Sequence, residues 1–146
     1  MSEYSRRTVE DAVLAALQAR LGDAVKTLKT CQGHWREDLR RAGWRLPAVL
    51  VELAEGRAEP VGLSSYDLIL ELNVVVVGRA LRGEAAARRE EGGVYDLLAS
   101  VRQALWHQDL GLAVQPLALV REESLPAPRE YAVYEVRFRT AWVQDF

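Results

Sequence analysis

The chain has 146 residues, 49% of them hydrophobic and 27% charged, with a net charge of −2. That is the size and balance of one globular domain with a core that needs no metal or disulfide staple. The balance excludes bulk electrostatic attraction to nucleic acid or to an anionic membrane, and the single cysteine, Cys31, excludes an internal disulfide and fits a reducing compartment.

The start, Met1 to Thr8, is polar and has no apolar run behind a basic cluster, so no secretion signal is expected. The longest apolar stretch, around Val74 to Val77, falls far short of the roughly 18 residues of a membrane span. A soluble chain is therefore expected.

Thr8, followed by Asp11, predicts a helix start, and Val9, Val13, Leu17 and Leu21 then recur at helical spacing up to Gly22. A short strand is expected over 25–31 and a short helix over 34–42, with Trp35 and Leu39 on one face and Gly43 as its stop. After Leu46-Pro47 the alternation of Val49, Val51 and Leu53 with Ala48, Leu50 and Glu52 predicts a second strand. Glycines, a proline and serines make 55–65 a loop or hairpin connection.

The third strand has the clearest pattern. Tyr66, Leu68, Leu70, Leu72, Val74 and Val76 fall on one face, and Asp67, Ile69, Glu71, Asn73, Val75 and Val77 fall on the other. The polar start of the second face argues for a half-exposed antiparallel sheet. Gly92-Gly93 precedes a helix over 94–107 with a stripe of Val94, Leu97, Leu98, Val101 and Leu105. Strands are expected over 114–121 and 131–142, joined as a hairpin across Pro126 and Pro128. In the last of them, Glu135, Arg137 and Arg139 share a wet face opposite Ala132, Tyr134, Val136, Phe138, Thr140 and Trp142. The fold class read from this order is α+β: one domain over 1–146, with a mixed or antiparallel sheet of four or five strands and two main helices packed on one face.

No residue set spells out an active site. His34 and His107, with Cys31, do not have metal-ligand spacing. Ser64, Ser65, Ser100 and Ser124 sit in no nucleophile elbow. Gly78-Arg-Ala-Leu-Arg-Gly lacks the Lys-Ser/Thr of a phosphate loop. No catalytic, cofactor-binding or metal-ligating residue is assigned, and no cofactor is expected. The connection between the third strand and the following helix carries Arg79, Arg82, Arg88 and Arg89. Its bland reading is a solvated, partly helical loop. The functional reading is an arm that orders on meeting an acidic surface through bidentate arginine–carboxylate pairs, with acids such as Glu122 and Glu123 of a neighbour as acceptors; the subunit contact is expected to use this arm or an adjoining sheet edge. Glu84, Glu90 and Glu91 dilute the positive charge and favour a protein over a nucleic acid. Trp35, Trp44, Trp106 and Trp142 are expected to anchor the core or an interface.

Several segments in order resemble a family of short proteins of Mu-like contractile-tailed phages and prophages regarded as tail terminators. They are the helix from Val9 to Leu17, Leu46 to Glu52, Leu81-Arg-Gly-Glu, Gly93-Val-Tyr-Asp-Leu-Leu, Gln108-Asp-Leu-Gly-Leu and the strand from Tyr131 to Thr140. The resemblance implies a structural protein without catalytic residues. Such a protein forms a ring with copies of itself, commonly a hexamer, that caps the tail tube and sheath and presents a surface to a head-completion protein. DNA would at most pass through the lumen, and no membrane is involved. It implies assembly in the host cytoplasm followed by residence in the virion tail. Two other classes stay open. A ferredoxin-like partner- or ligand-binding module would show a defined apolar pocket, and a nuclease or hydrolase subunit would need carboxylates converging in space.

Overall fold

Helix α1 spans Arg6–Leu21 and buries Val9, Val13, Leu17 and Leu21, one residue per turn along a single stripe. A computed structural model describes residues 6–79, 88–89 and 93–145 of the chain. Within it α1 is already helical at Arg6, so Thr8 lies in the first turn and does not begin the helix. Arg6 explains the extension, since its Nη1 donates to the Leu53 carbonyl at 3.1 Å and ties that turn to the sheet.

After a 3-10 turn at Gly22–Ala24 come strand β1 (Thr27–Thr30) and helix α2 (Trp35–Ala42). Gly43 stops α2 in the left-handed region at φ 56°, which a residue with a Cβ adopts only at a cost. Strand β2 (Ala48–Pro60), strand β3 (Ser65–Arg79), helix α3 (Val94–Leu105), strand β4 (Ala118–Ser124) and strand β5 (Tyr131–Asp145) follow. The sheet order is β1-β2-β3-β5-β4. Only β1–β2 is parallel; the other pairs are antiparallel, so the sheet is mixed and the fold is α+β.

Helices α1 and α3 pack together on one face, here called the front. They cover Val49, Val51, Leu72, Val74, Val76, Val136 and Phe138 of the three central strands. The opposite face is not uniformly wet. At one end α2, with Trp44, lays Trp35 and Leu39 over Ala48, Leu50, Val75, Val77 and Val133. The apolar residues Val75 and Val77, which share a face with Asp67 and Glu71, are thereby accounted for.

Several boundaries differ from those expected. The segment 55–60, read as part of a loop, belongs to β2, and only 61–64 turns the chain. Gly56 and Pro60 hold strand positions because the cross-strand register with β3 continues, Gly56 opposite Leu70 and Pro60 opposite Tyr66. Strand β1 pairs only with Ala48 to Val51, so at Pro60 β2 is an edge strand, where a missing N–H is tolerated. A bulge between Leu53 and Glu55 also changes the phase: Val49 and Val51 oppose Val76 and Val74 of the front, whereas Glu55 and Arg57 oppose Glu71 and Ile69 of the back. Helix α3 ends at Leu105, where Trp106 turns extended and His107 takes a φ of 65°. Strand β4 begins at Ala118, and β5 continues beyond Trp142 to Asp145.

Gly78 is the point of closest approach between β3 and α3. A Cβ built there would meet Cγ2 of Val94 at 2.6 Å, and Val94 is a buried, β-branched residue with little room to turn. Gly78→Ala is therefore expected to lower stability by about 1–3 kcal/mol, the usual cost of overpacking. Urea unfolding checks this, and an unchanged midpoint would show that α3 gives way freely.

Candidate functional site

The three long strands begin and end in chemically different surroundings, and these two ends of the sheet form the candidate site. Register defines them: Arg79 pairs with Tyr131 at one end, and Ser65 pairs with Asp145 at the other.

The first end is rich in arginine. Arg79 is exposed at the close of β3, Arg89 is exposed, and Arg88 is half-buried in a shallow cavity of about 240 Å3 beside Ser124, Pro126, Tyr131 and Tyr134. Arg88 lies near the Tyr134 hydroxyl, whose pKa is raised first by burial and then by its hydrogen bond with Tyr95. Arg82 lies outside the described residues. Three of the four expected contact arginines are thus placed at one end. Sequence reasoning missed that α2 adds Arg36 and Arg40 on a second groove. That groove, of about 250 Å3, is lined by Trp35, Leu39, Pro128 and Tyr131, with Glu130 as its acid. Arg36 stacks 4.4 Å from the centre of the Trp35 ring and donates to the Pro126 carbonyl at 3.3 Å, joining α2 to the β4–β5 connection. The available signal was the pattern Trp35-Arg-Glu-Asp-Leu39-Arg-Arg, an amphipathic turn and a half whose polar face ends in arginines.

Between the ends, the back of the sheet carries a band of linked charges. Arg137 Nε donates to Asn73 Oδ1 at 2.8 Å, and its Nη1 lies 3.4 Å from Glu71. Arg57 reaches Glu59 at 3.5 Å, Glu55 at 3.8 Å and Glu71 at 3.9 Å. Arg121 similarly lies between Glu123 and Glu135. The bulge in β2 makes this band possible, since it turns Glu55, Arg57 and Glu59 to the same side as Glu71. Arg57 is shared by three carboxylates and Arg121 by two, so the band is a network of shared charges and not a set of one-to-one pairs.

The second end is the β2–β3 hairpin. Its turn carries Val61 and Leu63, with relative exposures of 55% and 106%, and nearby Val143 on β5 is 55% exposed. Glu59 and Asp67 face each other across the hairpin, and Asp145 accepts a hydrogen bond from Ser65 beside it. The tip is apolar, with acids along one face beside it.

Other expected features fall elsewhere. Glu122 and Glu123 already have partners within the chain, Arg102 Nη1 at 2.6 Å and Arg121 Nη2 at 3.5 Å. Trp35 and Trp44 are core residues, whereas Trp106 is exposed and stacks on His107 with ring centres 5.0 Å apart. His34 precedes α2, and half-buried Cys31 has its thiol pKa raised by burial. Among the described residues no three His, Cys, Asp or Glu side chains group closely enough to hold a metal ion.

The family model described as Bacteriophage Mu, Gp37 matches residues 7–143. A search of curated proteins returned no match. Among solved structures, a chain from the virion of a native gene transfer agent particle is similar, with a TM-score of 0.59 at 16% identity over 95% of this chain and 98% of that chain. At that identity the likeness is one of fold.

Glu52 lies at the inner edge of the charged band. Burial, with Glu135 adding to it, raises its pKa above the ordinary value, and Arg137 and His34 pull the other way. A raised carboxylate pKa means that the folded state holds the proton more tightly, so this group favours folding at low pH and loses that contribution as pH rises through the folded pKa. Glu52→Gln is expected to be more stable than the wild type at neutral pH. The gap should close as pH falls below the folded pKa of Glu52. Denaturation midpoints of both proteins from pH 7 to pH 4 decide this, and a variant less stable at pH 7 would refute it.

Proposed function

The chain belongs to the bacteriophage Mu Gp37 family, and from that premise we propose that it is a virion structural protein that completes the phage tail. In this reading copies of the chain close into a ring, six-membered as in tail terminators, that caps the tail tube and sheath and offers its other face to a head-completion protein. It assembles in the host cytoplasm and stays in the virion tail. DNA would only pass through the lumen. The observation that carries the reading is the whole-length correspondence: the family model spans residues 7–143, and the fold matches nearly all of a chain from an assembled virion particle.

The chemistry supports it in two ways. Arg57, Arg121 and Arg137 hold acids of the back face within the chain, as suits a scaffold, and the apolar tip and the arginine-rimmed groove lie at the two ends. Two unlike ends on one rigid body suit a head-to-tail contact, which generates a closed ring when the rotation between neighbours permits. Arg79, Arg88 and Arg89, with Arg82 in the same connection, are the contact residues of this reading, their guanidinium groups suited to bidentate pairing with carboxylates.

Loss of the gene from a phage that carries it is expected to give overlong tail tubes and unjoined heads in electron micrographs; tails of normal length joined to heads would sink the proposal. The purified chain is expected to show a native mass at a multiple of its own. Arg79→Glu combined with Arg89→Glu changes exposed side chains only. It should weaken association on the order of tenfold or more while the circular dichroism stays that of the wild type.

A further inference from the structure

Val61 and Leu63 are the wrong residues for a hairpin turn in water. Turns of this length are usually filled by Gly, Asn, Asp or Pro, and here two large apolar side chains flank Gly62 at more than half exposure. On one face beside them stand the carboxylates of Glu59, Asp67 and Asp145, of which Glu59 lies 3.5 Å from Arg57 and Asp145 holds Ser65. At the opposite end of the same strands, the groove of Trp35, Leu39, Pro128 and Tyr131 presents apolar walls under Arg36 and Arg40. One end has an apolar knob with acids along one face beside it, and the other has an apolar groove rimmed mainly by bases.

The knob cannot enter the groove of its own chain. The two are separated by the length of β3, 15 residues, or roughly 45 Å at about 3.3 Å per residue, and the intervening sheet is held by continuous pairing with β5. A partner must bring one to the other. Because each chain carries both, a second copy supplies the match in apolar character and in charge.

We propose that the hairpin tip of one copy, Val61 and Leu63, seats in the Trp35–Tyr131 groove of the next copy, with Glu59, Asp67 and Asp145 facing Arg36 and Arg40. This rests on the ring reading given above and names the segment that the arginine-rich end receives. The surfaces joined are different, so the contact is heterologous and each chain uses its tip once and its groove once.

The test uses two variants that alter exposed residues. Leu63→Asp spoils the tip and leaves the groove whole. Arg40→Glu with Pro128→Asp spoils the groove and leaves the tip whole, both positions being exposed. Each is checked by circular dichroism, and Leu63→Ser serves as a milder tip variant. Wild type, each variant alone and the 1:1 mixture are measured by light scattering and native mass spectrometry. The expected result is an oligomer for the wild type, monomers for each variant alone, and a one-to-one heterodimer that grows no further for the mixture. A Leu63→Asp or Leu63→Ser chain that assembles as the wild type does overturns the tip contact and leaves the ring reading standing. A mixture that stays monomeric while the wild type assembles also overturns it. A wild type that remains monomeric at high concentration overturns both this contact and self-assembly of the isolated chain.

Discussion

The antiparallel register of β3 with β5, unbroken from Ser65↔Asp145 to Arg79↔Tyr131, is the constraint on which the rest of the molecule depends. Fifteen-residue strands are longer than the helices above them need. Helix α3 has 12 residues at about 1.5 Å each, so it covers well under half the length of the strand beneath it. The remaining sheet must find other cover or stay wet. Along the inner half, α1 and α3 bury one face and α2 buries the other. Along the outer half the back face solves the same problem with paired charges, Arg137 with Glu71 and Asn73, and Arg57 with three acids. A sheet held by two full-length ladders is stiff enough to carry a hairpin beyond its own core.

The bulge at Leu53/Glu55 makes the two halves compatible. Before it, the apolar odd-numbered residues of β2 face the helices. Without a shift in phase, Glu55, Arg57 and Glu59 would continue on that front face, over Leu68, Leu70 and Trp142 and away from Glu71 and Arg137. The extra residue turns them to the back, opposite Glu71, and leaves Gly56 and Ala58 over the leucines. Exposed ion pairs contribute only about 0–1 kcal/mol each. Their role here is to keep the extension soluble and straight, while burial of Leu72, Val74, Val136 and Phe138 supplies the stability.

Much of this was legible in the sequence. Alternation of period two from Tyr66 to Val77 predicts the faces of β3 correctly, and the four-residue spacing of Val9, Val13, Leu17 and Leu21 predicts the stripe of α1, because both patterns record burial directly. The α+β class and the pairing of both main helices on one face followed from the element order. What could not be read was anything that breaks period. A bulge has no composition of its own, so 55–60, with its glycine and proline, looked like a loop. The arginines of the connection after β3 stood out as a local cluster, and Arg79, Arg88 and Arg89 do lie at one end of the sheet. Arg36 and Arg40 come to that end through α2, over a distance in sequence that no local pattern spans. The tip lacks a signal for the opposite reason: Val61 and Leu63 fall within the 55–65 segment expected as a loop, and what marks them is how little touches them.

For the proposed ring, the sheet edges favour a contact through the ends of the strands. An open edge offers unpaired N–H and C=O groups to any other strand, and natural sheets blunt such edges with shortness, charge or bulges. Both edge strands here are blunted, and the part of β2 left open beyond β1 carries a bulge, charged side chains and Pro60. Strand β1 is four residues long and carries Lys29. Strand β4 shifts register between Leu119 and Arg121 and then runs Arg121-Glu122-Glu123, with Glu122 drawn towards Arg102 of α3. A neighbour adding a strand to β4 would meet a kinked, charged row. Strand addition would also extend the sheet with no limit set by shape, whereas a knob entering a groove at a defined angle fixes the rotation from one copy to the next. That rotation determines whether a head-to-tail series closes and at what number. In the proposed ring, blunted edges and a contact confined to two small, unlike ends suit a subunit whose series must close.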